Sequence, residues 1–182
     1  MKKFISLILV AIVCIGALSG CANNKIEEMT PEQIKEEQDK MIEEGCLYYG
    51  MSVDGNETVR VVIPASIGEY CYPKYSSNFD EGWFSLTISA KDESHDVFSV
   101  FASTGDKYKE YESKKNYKVL VKNDAYTVIW YEYDVEEING DESIKTAITE
   151  IKNHFSDIQK SVCIRAVKND DAGTNTIKSE NS

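Results

Sequence analysis

Between Trp83 and Ala90 large apolar and small polar residues alternate without a break, Phe84, Leu86 and Ile88 against Ser85, Thr87 and Ser89. Successive side chains of a strand point to opposite faces, so a strand is the one regular structure that gathers the three large groups on one side. The next segment, Asp96 to Ser103, is apolar on both faces: Val97, Ser99 and Phe101 against Phe98, Val100 and Ala102. A strand covered on both sides belongs inside a sheet. Other strands are expected at Cys46–Val53 and Glu57–Ile63, around the short turn Asp54-Gly55-Asn56, with Pro64 ending the second. Tyr117–Val121 and Tyr126–Asp134 form a further hairpin, and Gln159–Val167 a last strand. Residues 65–82 read as an irregular connection, and 104–116 as a polar, lysine-rich loop with one or two helical turns.

Two segments carry helical signals. Thr30, Pro31 and Gln33 stand where an N-cap, a first helical residue and the third residue of a capping box belong. Gly45 suits the left-handed position after the end. The apolar stripe of this helix, Ile34, Met41 and Ile42, is thin, so it reads as a mostly exposed spacer. The second helix starts near Asp141, with Ile144, Ala147, Ile148, Ile151 and Phe155 on one stripe wide enough to close a core. Strands, one long helix and a final strand make an α+β domain. The expected fold is an antiparallel β-sheet of about six to seven strands, packed by a long C-terminal amphipathic helix and preceded by an N-terminal helix. The layout over residues 57–166 resembles the PsbP type of sheet-and-helix domain, which implies binding and accessory roles rather than one chemistry.

The N-terminus is of another kind. Lys2 and Lys3 precede an apolar run from Phe4 to Leu18, too short for the ~20 residues of a comfortable membrane span. Leu18-Ser19-Gly20-Cys21 follows. Together these resemble the signal peptide and lipobox of a bacterial lipoprotein. The resemblance implies cleavage before Cys21 and a diacylglycerol on its thiol, anchoring the chain to the extracytoplasmic face of the cell membrane. Two acyl chains hold where one exchanges, at ~0.8 kcal/mol per buried CH₂. The domains expected are then a lipoprotein signal peptide (1–20), a lipid-anchored tether and spacer helix (21–45), a globular α+β domain (46–167) and a disordered polar tail (168–182).

Charge and cysteine usage narrow the partners. The formal charge is −11, and −13 once Lys2 and Lys3 are removed. Nucleic acid is disfavoured, because phosphate neutralisation needs clustered Lys and Arg. With Cys14 in the apolar run and Cys21 lipidated, Cys46, Cys71 and Cys163 remain, an odd number that export would allow to form one disulfide or none.

The motifs of common catalysts are missing from the sequence: no Gly-x-Ser-x-Gly elbow, phosphate-binding loop, dinucleotide fingerprint or His-Glu-x-x-His. The sequence points to no cofactor and no metal. His95, in Asp92-Glu93-Ser94-His95-Asp96, and the acidic stretch Glu136-Glu137, Asn139, Asp141-Glu142 lack metal-ligand spacing. His154 falls just off the helical stripe. A hydrolase built on His154 or His95 with a carboxylate, Cys71 or Cys163 is the enzymatic alternative. The most suggestive surface is residues 106–118, which sum to +2 in an acidic chain. Lys107, Tyr108, Lys109, Tyr111, Lys114, Lys115 and Tyr117 alternate charge with aromatic area, a pattern suited to an envelope protein or glycan. The competing expectation is that the tyrosines pack back on the sheet. The functional expectation is a non-catalytic binding or accessory domain, partnered by the bilayer through acylated Cys21 and by an envelope component. An assembly subunit of a membrane complex is the third alternative.

Overall fold

The computed structural model describes residues 27–52, 57–91, 93–135 and 141–167. The turn at 54–56, the acidic loop 136–140, the signal segment with Cys21, and the tail 168–182 lie outside the described residues.

Among the described residues nine strands form two sheets. In the four-stranded sheet the order is β1 (Glu27–Met29), β9 (Cys163–Val167), β3 (Glu57–Ile63), β2 (Leu47–Ser52). Strand β1 runs parallel to β9, and the other pairs are antiparallel. The five-stranded sheet is wholly antiparallel, in the order β4 (Cys71–Asn78), β5 (Trp83–Ala90), β6 (Asp96–Thr104), β8 (Tyr126–Glu132), β7 (Tyr117–Lys122). The α+β class is as expected, but the architecture differs from a single sheet of six to seven strands. Two strands lie outside that scheme. Strand β4 falls in the segment read as irregular, and Pro73 is tolerated there because β4 is an edge and need not donate on its outer side. Strand β1 precedes the first helix.

Nor is there one long C-terminal helix. Helix α2 (Glu142–Asn153) is capped by Asp141, whose Oδ1 accepts from the backbone N–H of Ser143 and Ile144. It buries Ile144, Ala147, Ile148 and Ile151, and it ends at His154, where φ is −101° and ψ 5°. A separate short helix α3 (Phe155–Ser161) then turns onto β3, and its last three residues, Gln159 to Ser161, are ones read as the start of the last strand. The Ser161 hydroxyl accepts from the Val62 N–H at 3.0 Å, which fixes that approach.

One core joins both sheets and the helices. The inner face of the five-stranded sheet supplies Phe84, Leu86, Ile88, Val100, Val128 and Trp130. Val59, Val61, Ile63 and Ile164 face them from the four-stranded sheet. Strand β6, read as covered on both faces, is the central strand and is buried from Val97 to Ser103. Helix α2 contributes its apolar stripe against β5 and β6. A fully buried isoleucine is worth roughly 1.5–3 kcal/mol in transfer, so this stripe alone gives the helix its reason to dock.

The N-terminal helix α1 (Pro31–Glu43) forms with the expected capping box, Thr30 and Gln33 bonding reciprocally, and Gly45 follows at φ +79°. Most of its residues are exposed, as its composition implies, yet it is fixed to the domain. Met41 is buried, and Glu37 binds two arginines of the sheet beneath: Arg60 of β3 through Nη1 and Arg165 of β9 through Nη2 at 2.8 Å. Arg60 is 0% and Arg165 2% exposed. Arg60 Nε also donates to the Ser161 carbonyl at 3.3 Å. A helix of apparently solvated charges is thus held by one carboxylate over a buried guanidinium pair.

Candidate functional site

The segment read as a lysine–tyrosine surface lies on the outer face of the five-stranded sheet. A 3-10 turn over Lys107–Tyr111 crosses β6 and β8. Because Trp83, Phe101 and Ile129 occupy alternate outward positions of β5, β6 and β8, they give this turn an apolar floor. Tyr108 is buried there against Phe101 and Ile129, with Tyr111, Tyr117 and Trp83 packed around them. The Phe101 ring lies 5.6 Å from Trp83, stacked, and 4.8 Å from Tyr111. The tyrosines therefore form a second small core rather than a free aromatic comb.

The lysines are largely engaged within the chain. Lys109 pairs with Asp106 at 2.8 Å. Lys114 lies over the Tyr111 and Tyr131 rings at 4.3 and 4.8 Å, within cation–π range. Lys107 donates to Glu81 at 3.0 Å and faces Glu110 at 3.9 Å. Glu81 also accepts from the Trp83 indole N–H at 3.2 Å. The hydrogen bonds from Lys107 and then Trp83 hold the Glu81 carboxyl below its usual range, and those to Glu81 raise Lys107 above its own. Lys115 is exposed.

Where this turn meets β4 and β5 a groove of about 260 Å³ opens. Its lining combines Ser76 and Ser85, which are directly opposite one another across β4 and β5, with Trp83, Phe101 and Tyr111. Glu81, Lys107 and Glu110 form its charged rim. Of the residues singled out from sequence, the groove takes Lys107 and Tyr111. Ser76, Ser85, Trp83, Phe101 and Glu81 were missed, because they meet only through strand register: Ser76 faces Ser85 across β4–β5, and Phe101 faces Ser85 across β5–β6.

The histidines lead elsewhere. His154 Nδ1 donates to the Glu150 carbonyl at 2.9 Å, and Nε2 faces Ser66 Oγ at 3.5 Å. Neither contact is with a thiol. His95 Nδ1 lies 2.9 Å from Ser94 Oγ. Asp141 is occupied as a helix cap, and among the described residues no three His, Cys, Asp or Glu converge as a metal site would need.

Among the described residues no disulfide joins Cys46, Cys71 and Cys163. Burial pushes the Cys71 thiol up to about 12 from an ordinary 9.0. Tyr48, whose buried hydroxyl has no hydrogen-bond partner among the described residues, is pushed to about 12 from 10.0, first by burial and then by Glu37. Burial does the same to Tyr49. In each case the folded state keeps a proton that the unfolded chain releases. Their contribution is complete below the unfolded values and declines as pH rises towards 12. Lys107, raised when folded, adds a small loss of the same sign. The denaturant midpoint should therefore be flat near neutrality and fall from about pH 9 upwards. A midpoint that holds constant to pH 11 would contradict this.

Comparison with protein families, with curated proteins and with solved structures returns no match for this chain. Among the described residues no helix is long and apolar enough to cross a membrane.

Proposed function

We propose that the chain is an extracytoplasmic bacterial lipoprotein, anchored by a diacylglycerol on Cys21, whose folded domain is a non-catalytic binding module for an envelope component. The observation that carries this is the run Lys2-Lys3, the apolar stretch to Leu18, and Leu18-Ser19-Gly20-Cys21. Strand β1 starts at Glu27, so only residues 22–26 separate the lipidated cysteine from the first sheet residue. Fully extended, those residues reach about 20 Å. The domain is then held near the headgroups, with α1 part of the folded body.

The binding assignment is supported by the groove, where hydroxyls, aromatic faces and a rim of Glu81, Lys107 and Glu110 converge on one small concavity. A rival reading as an assembly subunit draws on the β4 edge and the turn after it, which expose Tyr72, Tyr75 and Phe79.

The anchor is tested by the mass of the N-terminal peptide from the membrane fraction. The expected result is a chain starting at Cys21 with diacylglycerol on its sulfur, and loss of that mass in Cys21→Ser. A mature N-terminus elsewhere, or an unmodified Cys21, would sink the proposal.

A further inference from the structure

We infer that the groove between β4, β5 and the 3-10 turn is a subsite for one neutral sugar ring of an envelope glycan. This rests on the proposed extracytoplasmic placement for its source of ligand, and on the groove alone for its chemistry.

Four features of the groove select that class. The first is size. About 260 Å³ falls below the 300–1,000 Å³ of sites for drug-sized ligands, and suits one six-membered ring with its substituents. The second is the pairing of polar and apolar walls. Trp83, Phe101 and Tyr111 supply aromatic area of the kind that the C–H face of a pyranose covers, while Ser76 and Ser85 supply hydroxyls. A sugar ring is the common ligand that is apolar on its faces and hydroxylated around its edge.

The third feature is the serine pair itself. The two are register partners on the same face of adjacent strands, so their hydroxyls sit side by side. Neither hydroxyl makes a hydrogen bond to another described residue, whereas the neighbouring outward pair, Thr87 and Ser99, is closed internally at 2.6 Å. Ser99 continues to Tyr133 at 3.0 Å, and Ser89 to Asp96 at 2.6 Å. The outer face thus satisfies the hydroxyls of Thr87, Ser89 and Ser99 within the protein, buries that of Ser103 with no partner among the described residues, and presents those of Ser76 and Ser85 in the groove. Each serine hydroxyl can donate once and accept twice, which matches adjacent hydroxyls of a sugar.

The fourth feature is charge. Lys107 sits between Glu81 and Glu110, leaving the rim one net negative charge. An anionic ligand meets two carboxylates, and a cationic one must displace Lys107 from Glu81. A neutral ligand meets neither cost. The free oxygen positions of Glu81 and Glu110 remain able to accept from ligand hydroxyls.

The test titrates the lipidated mature protein in detergent micelles with methyl β-glucoside, methyl β-galactoside and methyl β-N-acetylglucosaminide. Inorganic phosphate and N-acetyl-lysine amide serve as charged probes. Calorimetry and tryptophan emission are read together. Of the two tryptophans, Trp130 is 1% exposed, so a ligand in the groove should report through Trp83. At least one glycoside should saturate at millimolar concentration and shift the Trp83 emission, with neither charged probe doing so. The variants Ser85→Ala and Trp83→Ala should each weaken it by about tenfold, the effect of roughly one lost hydrogen-bond or stacking contact. Lys115→Ala should leave it unchanged. The inference is overturned if no glycoside saturates, if a charged probe binds better than all three, or if binding survives both groove variants undiminished. The anchor is scored separately by mass on the same sample. Lipidated Cys21 without sugar binding removes the subsite and leaves the anchor. Sugar binding by a chain without lipid keeps the subsite and removes the anchor.

Discussion

Replacing Glu37 by alanine is expected to destabilise the domain by about 3–5 kcal/mol, the cost typical of removing one partner from a buried ion pair. The size follows from what is left behind. Arg60 and Arg165 are almost wholly covered, and both lose the carboxylate they share. Desolvated guanidinium groups cannot neutralise themselves by losing a proton, since arginine stays charged in proteins. Glu37→Gln should fall between wild type and alanine, because the amide oxygen still accepts but carries no charge. Glu36→Ala, one residue earlier on the same helix and exposed, should move the denaturant midpoint by no more than about 0.5 kcal/mol. Equal midpoints for Glu36→Ala and Glu37→Ala would mean that the carboxylate is not what holds the helix down.

Trp130→Ala should cost about as much, roughly 3–5 kcal/mol, through a different mechanism. Its ring stacks on Phe98 with centroids 4.1 Å apart, and Phe155 meets both rings edge-on at 5.0 and 5.6 Å. Phe155 opens α3, so this aromatic group ties the five-stranded sheet to the point where the C-terminal helix breaks. Truncation leaves a cavity that two neighbouring rings cannot easily fill. It also frees the Glu132 carboxylate that accepts from the indole N–H at 3.0 Å. Trp130→Phe should lose appreciably less. Trp83→Ala, at a half-exposed position on the outer face, should also cost less, and urea unfolding of the three variants gives the order. If Trp83→Ala proved the most damaging, the main core would not lie where the sheets and α2 converge.

How much of this could be read beforehand depends on where the determining signal sits. Strand β5 forms over the residues predicted, because Phe84, Leu86 and Ile88 alternate with small polar residues and face the core. The stripe of α2 and the capping box of α1 are equally local and equally plain. The break at His154 was hidden because Phe155 continues the stripe, at eleven residues from Ile144, so periodicity alone runs through it. No glycine or proline marks the stop. Strand β4 was hidden because Pro73, Lys74, Ser76 and Ser77 suit an exposed edge and look like a loop. The Glu37 clamp was invisible for another reason: Glu32, Glu36, Glu37, Glu43 and Glu44 are chemically alike, and only tertiary register selects one. A faint cue was Arg60 itself, a charge set between Val59 and Val61 in the apolar run that ends at Ile63. The groove inherits the missing β4, since Ser76 meets Ser85 only once that strand is paired.

The central structural claim is that β1 and α1 both belong to the folded body, so that only residues 22–26 lie between the proposed anchor at Cys21 and the first described strand. Native-state hydrogen exchange measures this most directly. Backbone amides from Ile34 to Met41 should be protected to nearly the same free energy as those of β3, and Glu37→Gln should lower the protection of α1 more than that of β6. Amides of α1 that exchange as an unsupported helix does, while β3 remains fully protected, would contradict the account.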